Sequence, residues 1–514
     1  MNGAETLVKT LLKSGVDVCF ANPGTSEMHF VAALDQHPEM RCILCLFEGG
    51  ATGAADGYFR MKQEVAATLL HLGPGLGNGV ANLHNAGKAR SGVVNIVGDH
   101  ANYHLKYDSP LRGDLDGIGG AISHWTCRAE NAASVAGDGA AAVQAARSGG
   151  GQIATLVLPA NTAWDEANGP VEPIACTQLE RPSNAQIVSA ARTLCEPGTA
   201  LFVGQGALHG SLSQLAGQIA AKSGCELMTD FLVPRIERGS GAVDLTRLKY
   251  PIGENVALMR HVRHMVLCGA NRPVAFFAYP NKPGTPEPDD CQITDLCPPD
   301  MDYGWTLQAI ADELGVGPAD RPALVLLDLP EVPTGSLTLE KTGAALAALL
   351  PENAIIVDES VTSSEPLLAA TDTARRQSWL HVTGGAIGFG LPCATGAALA
   401  CPDQKIVCLT GDGSAMYTLQ SLWTMARENL DVVTIVFANR GYQILHDELA
   451  NVGVKQAGRN AARMFDVEDP TLDWVALAKG HGVAATRVTD MDEFVAALRK
   501  GLATTDPYLI EVIC

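Results

Sequence analysis

The chain is poor in the features that would place it in a membrane, a secretory route or a nucleic-acid complex. No apolar stretch in its 514 residues is long enough to cross a bilayer. The start, Met1-Asn2-Gly3-Ala4-Glu5, has no basic segment and no cleavage site, and runs straight into an amphipathic helical pattern, so nothing there directs export. No disulfide framework or zinc site is visible among the 14 cysteines, which are scattered and often sit inside apolar runs, as Cys19, Cys42, Cys45 and Cys408 do. They read as reduced core thiols of a cytoplasmic protein. Positive charge is also short, with 36 Lys and Arg against 56 Asp and Glu, a net charge of −20 and no basic patch. That argues against a nucleic-acid partner and fits solubility better than it identifies a substrate.

What is present is a long alternation of strand and helix patterns, too long for one core. The spacing predicts three blocks, 1–167, 184–329 and 337–514, separated by proline-bearing linkers. The first block carries apolar strand runs at 16–21, 42–47, 66–72, 93–97 and 153–158. The middle block has strands near 200–203 and 265–268, then a proline- and acid-rich surface excursion over 279–299. The last block has strands at 355–357, 406–409, 432–437 and 508–513. The fold class expected is α/β, as three doubly wound parallel-sheet domains, with sites beyond the carboxyl ends of strands.

Two strand ends stand out. The run 406–409 leads into Gly411-Asp412-Gly413, followed by a helical pattern with Leu419, Leu422, Trp423 and Ala426 on one face. The run 432–437 delivers Asn439-Arg440-Gly441. A carboxylate and an amide oxygen on adjacent strand ends suit a hard cation such as Mg²⁺, and the glycines allow backbone N–H groups to approach a diphosphate. A lone Gly-Asp-Gly is weak evidence. Gly137-Asp138-Gly139 also opens a helix, but the matching position 27 residues on is Asp165, so Asp138 reads as a cap.

Further motifs fall in order along the chain. They are Asn22-Pro23-Gly24, Phe47-Glu48-Gly49-Gly50-Ala51, Ala55-Asp56-Gly57-Tyr58, Gly73-Pro74-Gly75 with Asn78, and Gly384-Gly385-Ala386-Ile387-Gly388-Phe389. With the two strand ends, they resemble the thiamine diphosphate-dependent decarboxylases and carboligases, the family of acetolactate synthase, benzoylformate decarboxylase, pyruvate decarboxylase and pyruvate oxidase. The resemblance implies a pyrimidine-binding, a central and a diphosphate-binding domain, with thiamine diphosphate and Mg²⁺ as cofactors. It implies Asp412, Asn439 and the Gly441 carbonyl as metal ligands. Val361, Thr362, Gly413 and Ser414 would lie at the diphosphate. The Gly385 carbonyl would accept from the 4′-amino group, and Ile387 would hold the cofactor bent. Glu48, read as the desolvated acid closing the 42–47 strand, would sit against pyrimidine N1′. The family chemistry is decarboxylation of a 2-oxo acid to an enamine that takes a proton or adds to a second carbonyl. Its sites form between subunits, so a homodimer is the minimum and a homotetramer is usual.

Each residue also has a plainer reading. Glu48 alone is a strand-end acid beside a loop. His71 is either a core histidine satisfied by backbone or, as in benzoylformate decarboxylase-like enzymes, an active-site proton shuttle. Thr25 is a turn residue or a hydroxyl near the substrate carboxylate. Leu445 and His446 either line the pocket or start a solvated helix, and His84 reads as structural. His100, His104 and His124 fall in a loop-rich stretch and take no assignment.

The departures bear on substrate. The second histidine of benzoylformate decarboxylases would fall near Phe276-Phe277-Ala278 and is absent, as is the Arg-Gln-Trp stretch of acetolactate synthases after the metal loop. The lid that acetolactate synthases carry at the C-terminal end has no counterpart before Cys514, so the expectation is that another loop excludes water or that the pocket stays more open and accepts larger aldehydes or acceptors. Gly204-Gln205-Gly206 does not complete a dinucleotide fingerprint, because His209 stands where the third glycine belongs. FAD there is possible but not favoured, and nicotinamide-linked chemistry lacks its motif. The function expected is acetolactate synthase-like carboligation of 2-oxo acids with a carbonyl acceptor. The alternatives are a non-oxidative 2-oxo acid decarboxylase and a non-catalytic binding protein of the same fold.

Overall fold

The computed structural model describes all 514 residues. Strands and helices alternate throughout, and the strands assemble into three sheets. The first sheet takes β1 (Val18–Asn22), β2 (Arg41–Leu44), β3 (Ala66–Leu70), β4 (Val93–Asp99), β5 (Trp125–Arg128) and β6 (Ile153–Pro159), in the order β2-β1-β3-β4-β6-β5. The second is β10-β8-β7-β11-β12, built from β7 (Thr199–Val203), β8 (Glu226–Thr229), β10 (Thr246–Arg247), β11 (His264–Cys268) and β12 (Gln292–Cys297). The third is β17-β18-β16-β15-β13-β14-β9. It holds β9 (Ile236–Arg238), β13 (Ala354–Glu359), β14 (Gln377–His381), β15 (Ile406–Gly411), β16 (Val432–Ala438), β17 (Ala484–Val488) and β18 (Tyr508–Ile513).

The α/β class holds, and the first two sheets are wholly parallel. The third differs from the all-parallel expectation at one edge. There β9, from the middle of the chain, pairs antiparallel with β14. A three-residue strand with a half-exposed pattern carries no apolar run to announce it.

Two other expectations are corrected. Glu48 does not close a strand. The last ladder bond from this segment runs from Cys45 N to Ala21 O, and Phe47 then caps a helix, Glu48–Lys62, whose first residue is Glu48. The helical pattern behind Gly411-Asp412-Gly413 is broken into Asp412–Ala415 and Ser421–Arg427. Between them Thr418 turns aside and donates its hydroxyl to Gly388 O at 3.0 Å. Cys42 is exposed and Cys45 buried, so that pair faces two ways, and burial pushes the Cys45 thiol up to about 12.

The first and third sheets share one core through the Glu48–Lys62 and Gly390–Ala400 helices, where Ala51, Ala54, Ala55 and Tyr58 meet Leu391, Cys393, Ala394 and Ala397. The backbones nearly touch. A Cβ on Gly396 would lie 1.8 Å from Ala54 O, and one on Gly57 would lie 2.1 Å from Cys393 O. Small residues in these helices are therefore a packing requirement. Arg60 ends the same seam. It pairs with buried Asp56, donates to His381 O at 2.6 Å and Pro234 O at 3.3 Å, and lies 4.7 Å over the Phe389 ring. No helix is long and apolar enough to cross a membrane.

Candidate active site

In a doubly wound sheet the crevice for a ligand opens where successive strands leave on opposite sides. In the first sheet that point lies between β1 and β3, and in the third between β13 and β15. The residues after these strands are the ones the motifs singled out.

After β1, Thr25–Glu27 form a short turn of helix, and after β3, His71 caps the Leu72–Ala89 helix. His71 Nδ1 lies 2.9 Å from Glu27 Oε2 and 3.3 Å from Ser26 Oγ. Glu27 is buried, and the same oxygen accepts from Gly24 N at 2.7 Å. Gly24 admits the imidazole, since a Cβ there would lie 2.1 Å from Nδ1. Glu27 escaped the motif reading because an acid in a turn carries no signal until its histidine is found. Thr25 is exposed and outside this cluster; Ser26 is the hydroxyl at His71.

Glu48 is 7% exposed. Its Oε2 accepts from Asn78 Nδ2 at 2.9 Å, and its Oε1 lies 3.2 Å from where a Gly75 Cβ would be. The same imagined Cβ lies 3.4 Å from His71 Cβ, so Glu48 and His71 border one helical turn.

In the third sheet, β15 and β16 are neighbours with Gly411 opposite Phe437, so Asp412 and Asn439 emerge side by side. Asp412 Oδ1 accepts from Gly413 N and Oδ2 from Arg440 N, both at 2.8 Å. Burial pushes the Asp412 carboxyl up, against the pull of these backbone donors. Asn439 Oδ1 accepts from Gly441 N at 3.2 Å. Carboxylate, amide and backbone oxygens together form a hard donor set of the kind Mg²⁺ takes. Gly413 is required, because a Cβ there would lie 2.5 Å from the Tyr442 ring. Ser414 is buried beside it.

Across the crevice, β13 ends in Glu359, ahead of Val361 and Thr362. Glu359 accepts from Phe389 N at 2.6 Å, Gly390 N at 3.0 Å and Thr410 Oγ1 at 3.2 Å. It thereby fixes the loop that carries Gly385 and Ile387. Burial raises its carboxyl to about 7 in spite of these donors. The loop is braced from the first sheet's side as well. Asn85 Nδ2 donates to Ala386 O at 2.8 Å, Asn82 Nδ2 to Gly388 O at 3.1 Å, and His84 Nε2 lies 3.1 Å from Gly384 O. Glu359, Asn82 and Asn85 carry no local sequence signal as site residues, and His84 is exposed on its helix beside Gly384 O.

Backbone strain marks the same places. Leu72, Val361 and Arg440 hold left-handed φ of 50°, 49° and 58°. Leu72 stands just before Gly73-Pro74-Gly75, and Val361 and Arg440 lie within motifs, whereas the left-handed Gln63 and Arg90 simply end helices.

At the middle sheet's own switch point Gly204 abuts Gly269 O and Tyr303 covers Gly206. A hollow of about 30 Å³ lies there between Gln205, His209 and Tyr303 on one side and Phe59, Arg60 and Arg90 of the first block on the other.

Two family descriptions match the chain. The N-terminal TPP-binding domain of thiamine pyrophosphate enzymes matches residues 1–118, and the C-terminal TPP-binding domain matches residues 363–512. A Mycobacterium tuberculosis protein named "Putative acetolactate synthase large subunit IlvX" is 47% identical over 514 residues, all of this chain and 99% of that one. This chain belongs to the thiamine pyrophosphate enzymes. Benzoylformate decarboxylase of Pseudomonas aeruginosa is 26% identical across 98% of this chain and 97% of its own. Among solved structures, the thiamine diphosphate-dependent 4-hydroxybenzoylformate decarboxylase of Rhodococcus jostii RHA1 superposes with a TM-score of 0.84 at 24% identity, over 99% of this chain and 98% of that one. Benzoylformate decarboxylase from Polynucleobacter necessarius gives 0.85 at 19%, over 100% and 98%. At these identities the superpositions show the three-sheet fold alone.

Proposed function

We propose that this thiamine pyrophosphate enzyme uses thiamine diphosphate with Mg²⁺ to decarboxylate a 2-oxo acid and join the remaining fragment to a second carbonyl, as acetolactate synthases do. The observation that carries the reading is the Glu48 carboxylate, buried, with one oxygen on Asn78 and the other free of hydrogen-bond partners. That leaves the second oxygen placed to hydrogen-bond a pyrimidine N1′.

Asp412, Asn439 and the Gly441 carbonyl would hold the metal, and Val361, Thr362, Gly413 and Ser414 the diphosphate. Gly385 and Ile387 would seat the pyrimidine, in the loop that Glu359, Asn82 and Asn85 brace. The bound cofactor supplies the carbon nucleophile that the side chains of the chain lack. His71 would move a proton at the substrate carbonyl, with Glu27 fixing its ring through Nδ1. Thr25 would present a hydroxyl near the substrate carboxylate, next to the Ser26 hydroxyl that faces His71. The blocks 1–167, 184–329 and 337–514 would act as pyrimidine-binding, central and diphosphate-binding domains. The Glu48 and Asp412 clusters would meet across two copies of the chain, so a homodimer is the working minimum and a homotetramer its expected form.

The relative of 47% identity supports carboligation. The Glu27–His71 pair favours a second reading, simple decarboxylation, because a histidine held by Glu27 would supply the proton that an aldehyde product takes up. A mixture of 2-oxo acids with and without aldehydes, thiamine diphosphate and Mg²⁺, with products read by mass, decides. Hydroxyketones or 2-hydroxy-2-acyl acids support the first reading, and an aldehyde alone supports the second. No turnover of any 2-oxo acid overturns both.

A further inference from the structure

The segment 270–291 leaves β11 and returns to β12 as a flap across the mouth of the third sheet's crevice. Its base is closed by the Arg272 guanidinium on buried Glu287, with Nε at 2.8 Å, and by Ala275 N donating to Gly284 O at 2.8 Å. Its tip is fastened to the Gln443–Asn451 helix, which begins just beyond Gly441. Tyr279 OH donates to Glu448 Oε1 at 3.0 Å, and Lys282 Nζ to Asn451 Oδ1 at 3.0 Å. Tyr250 OH reaches the same Glu448 oxygen at 2.8 Å. Two phenols from separate segments thus converge on one carboxylate.

Between base and tip stand Phe276 and Phe277, edge to face with centroids 4.8 Å apart. Phe276 is backed by Tyr250 at 5.5 Å and Phe231 at 6.3 Å. Its Cζ lies 2.8 Å from where a Cβ on Gly385 would be, so the ring leans over the loop assigned to the pyrimidine. Yet Phe276 stays 38% and Phe277 54% exposed. Core packing does not explain two half-open phenylalanines in an excursion rich in proline and acid. Other exposed apolar side chains, Val361 and Leu445, belong to the elements bordering the same mouth.

We propose that Phe276 and Phe277 are the specificity-determining wall of this site, selecting a 2-oxo acid with an aromatic or comparably bulky group beside its carbonyl, and that Glu448, gripped by Tyr250 and Tyr279, is the positioning residue that latches the wall over the crevice. Offset and edge-to-face ring contacts with such a group are the interactions these open faces provide. The latched flap also keeps water from the reacting carbon. The inference rests on the 2-oxo acid reading above.

The test uses the full chain loaded with thiamine diphosphate and Mg²⁺, titrated calorimetrically with benzoylphosphonate and with acetylphosphonate as stable 2-oxo acid mimics. The parent protein should bind benzoylphosphonate at least tenfold more tightly. Phe277→Ala, at an exposed position that folding tolerates, should cost benzoylphosphonate at least tenfold more affinity than acetylphosphonate. Glu448→Ala should speed hydrogen exchange across 272–287 and erode the same preference, and Glu448→Gln, which keeps an acceptor, should restore both. Equal binding of the two probes by the parent, or equal losses in the variants, overturns the wall. Binding of neither probe overturns the 2-oxo acid reading itself, and the wall with it.

Discussion

Around the first sheet's crevice, carboxylates are gripped mainly by side chains; around the third's, mainly by backbone. Glu27 meets His71 and Ser26 besides Gly24 N, and Glu48 meets Asn78. Asp412 meets Gly413 N and Arg440 N, and Glu359 meets Phe389 N and Gly390 N besides the Thr410 hydroxyl. A side chain can rotate, exchange a proton or release its partner. A backbone N–H at a strand end cannot do so without moving the strand. The first crevice is therefore suited to moving protons, and the third to holding a charged ligand still.

The sharpest way to break this contrast is to disable one crevice in each of two copies. Glu48→Gln should lower turnover by about 10²- to 10⁴-fold, the scale of a lost acid–base group, while diphosphate affinity changes little. Asp412→Asn should abolish turnover by losing the metal and diphosphate. If the crevices meet across subunits, coexpressing the two variants regenerates one intact site per mixed dimer, and activity returns to a measurable fraction of the parent. If each chain carries its own complete site, the mixture stays inactive. Activity recovered from the mixed species, isolated through two affinity tags, is the measurement.

The next effect tests the backbone-held side alone. Glu359 is raised to about 7 by burial, whereas an unfolded glutamate titrates near 4.5. Between those values the folded state keeps a proton that the unfolded state has released. This contribution to stability is whole below about 4.5 and is lost as pH rises through about 7, by at most ~3 kcal/mol. Glu359→Gln, which cannot titrate, should flatten the decline in urea midpoint of the apoprotein between pH 5 and 8. A parallel decline in parent and variant would place the titration elsewhere.

A smaller effect sharpens the side-chain-held crevice. Glu27→Gln keeps the shape of the turn and an oxygen acceptor but removes the charge facing His71. Turnover should fall by about 10- to 100-fold, the lower part of the range for general acid–base catalysis. The loss should fall on kcat more than on KM, because the ring keeps its place but loses the partner that orients it. A rise in KM with kcat unchanged would reduce Glu27 to a structural role.

How far the chain announced all this depends on burial. The long buried strands, β4, β6, β15, β16 and β18, stand near their apolar runs, since burial on both faces leaves a continuous signal. The edge strands β5, β12 and β17 are half exposed and left none. The same division runs through the site. Asp412, Asn439 and Glu48 lie in motifs whose glycines mark close approach. Glu27, Asn82, Asn85, Glu359 and Glu448 act by reaching residues distant in the chain, and no local spacing encodes such a reach. Thr25 stands out by resemblance to a serine of the decarboxylases, whereas Ser26 makes the contact with His71, a one-residue difference that the turn's geometry decides.

Val361 offers the finest test of the rigid side. It holds φ at 49° and is 40% exposed, so neither packing nor a hydrogen bond of its side chain recompenses the conformation. A β-branched residue there costs about 1–2 kcal/mol, whereas glycine adopts the same angle freely and loses roughly 0.5–1 kcal/mol through unfolded-state entropy. Val361→Gly should therefore stabilise the apoprotein by about 0.5–1 kcal/mol, read as a small rise in Tm, while weakening thiamine diphosphate binding a few-fold as the turn gains freedom. Strain that helps only when the ligand is bound gives this opposition of signs. A fall in Tm together with unchanged affinity would mean that the left-handed turn serves the fold and not the site.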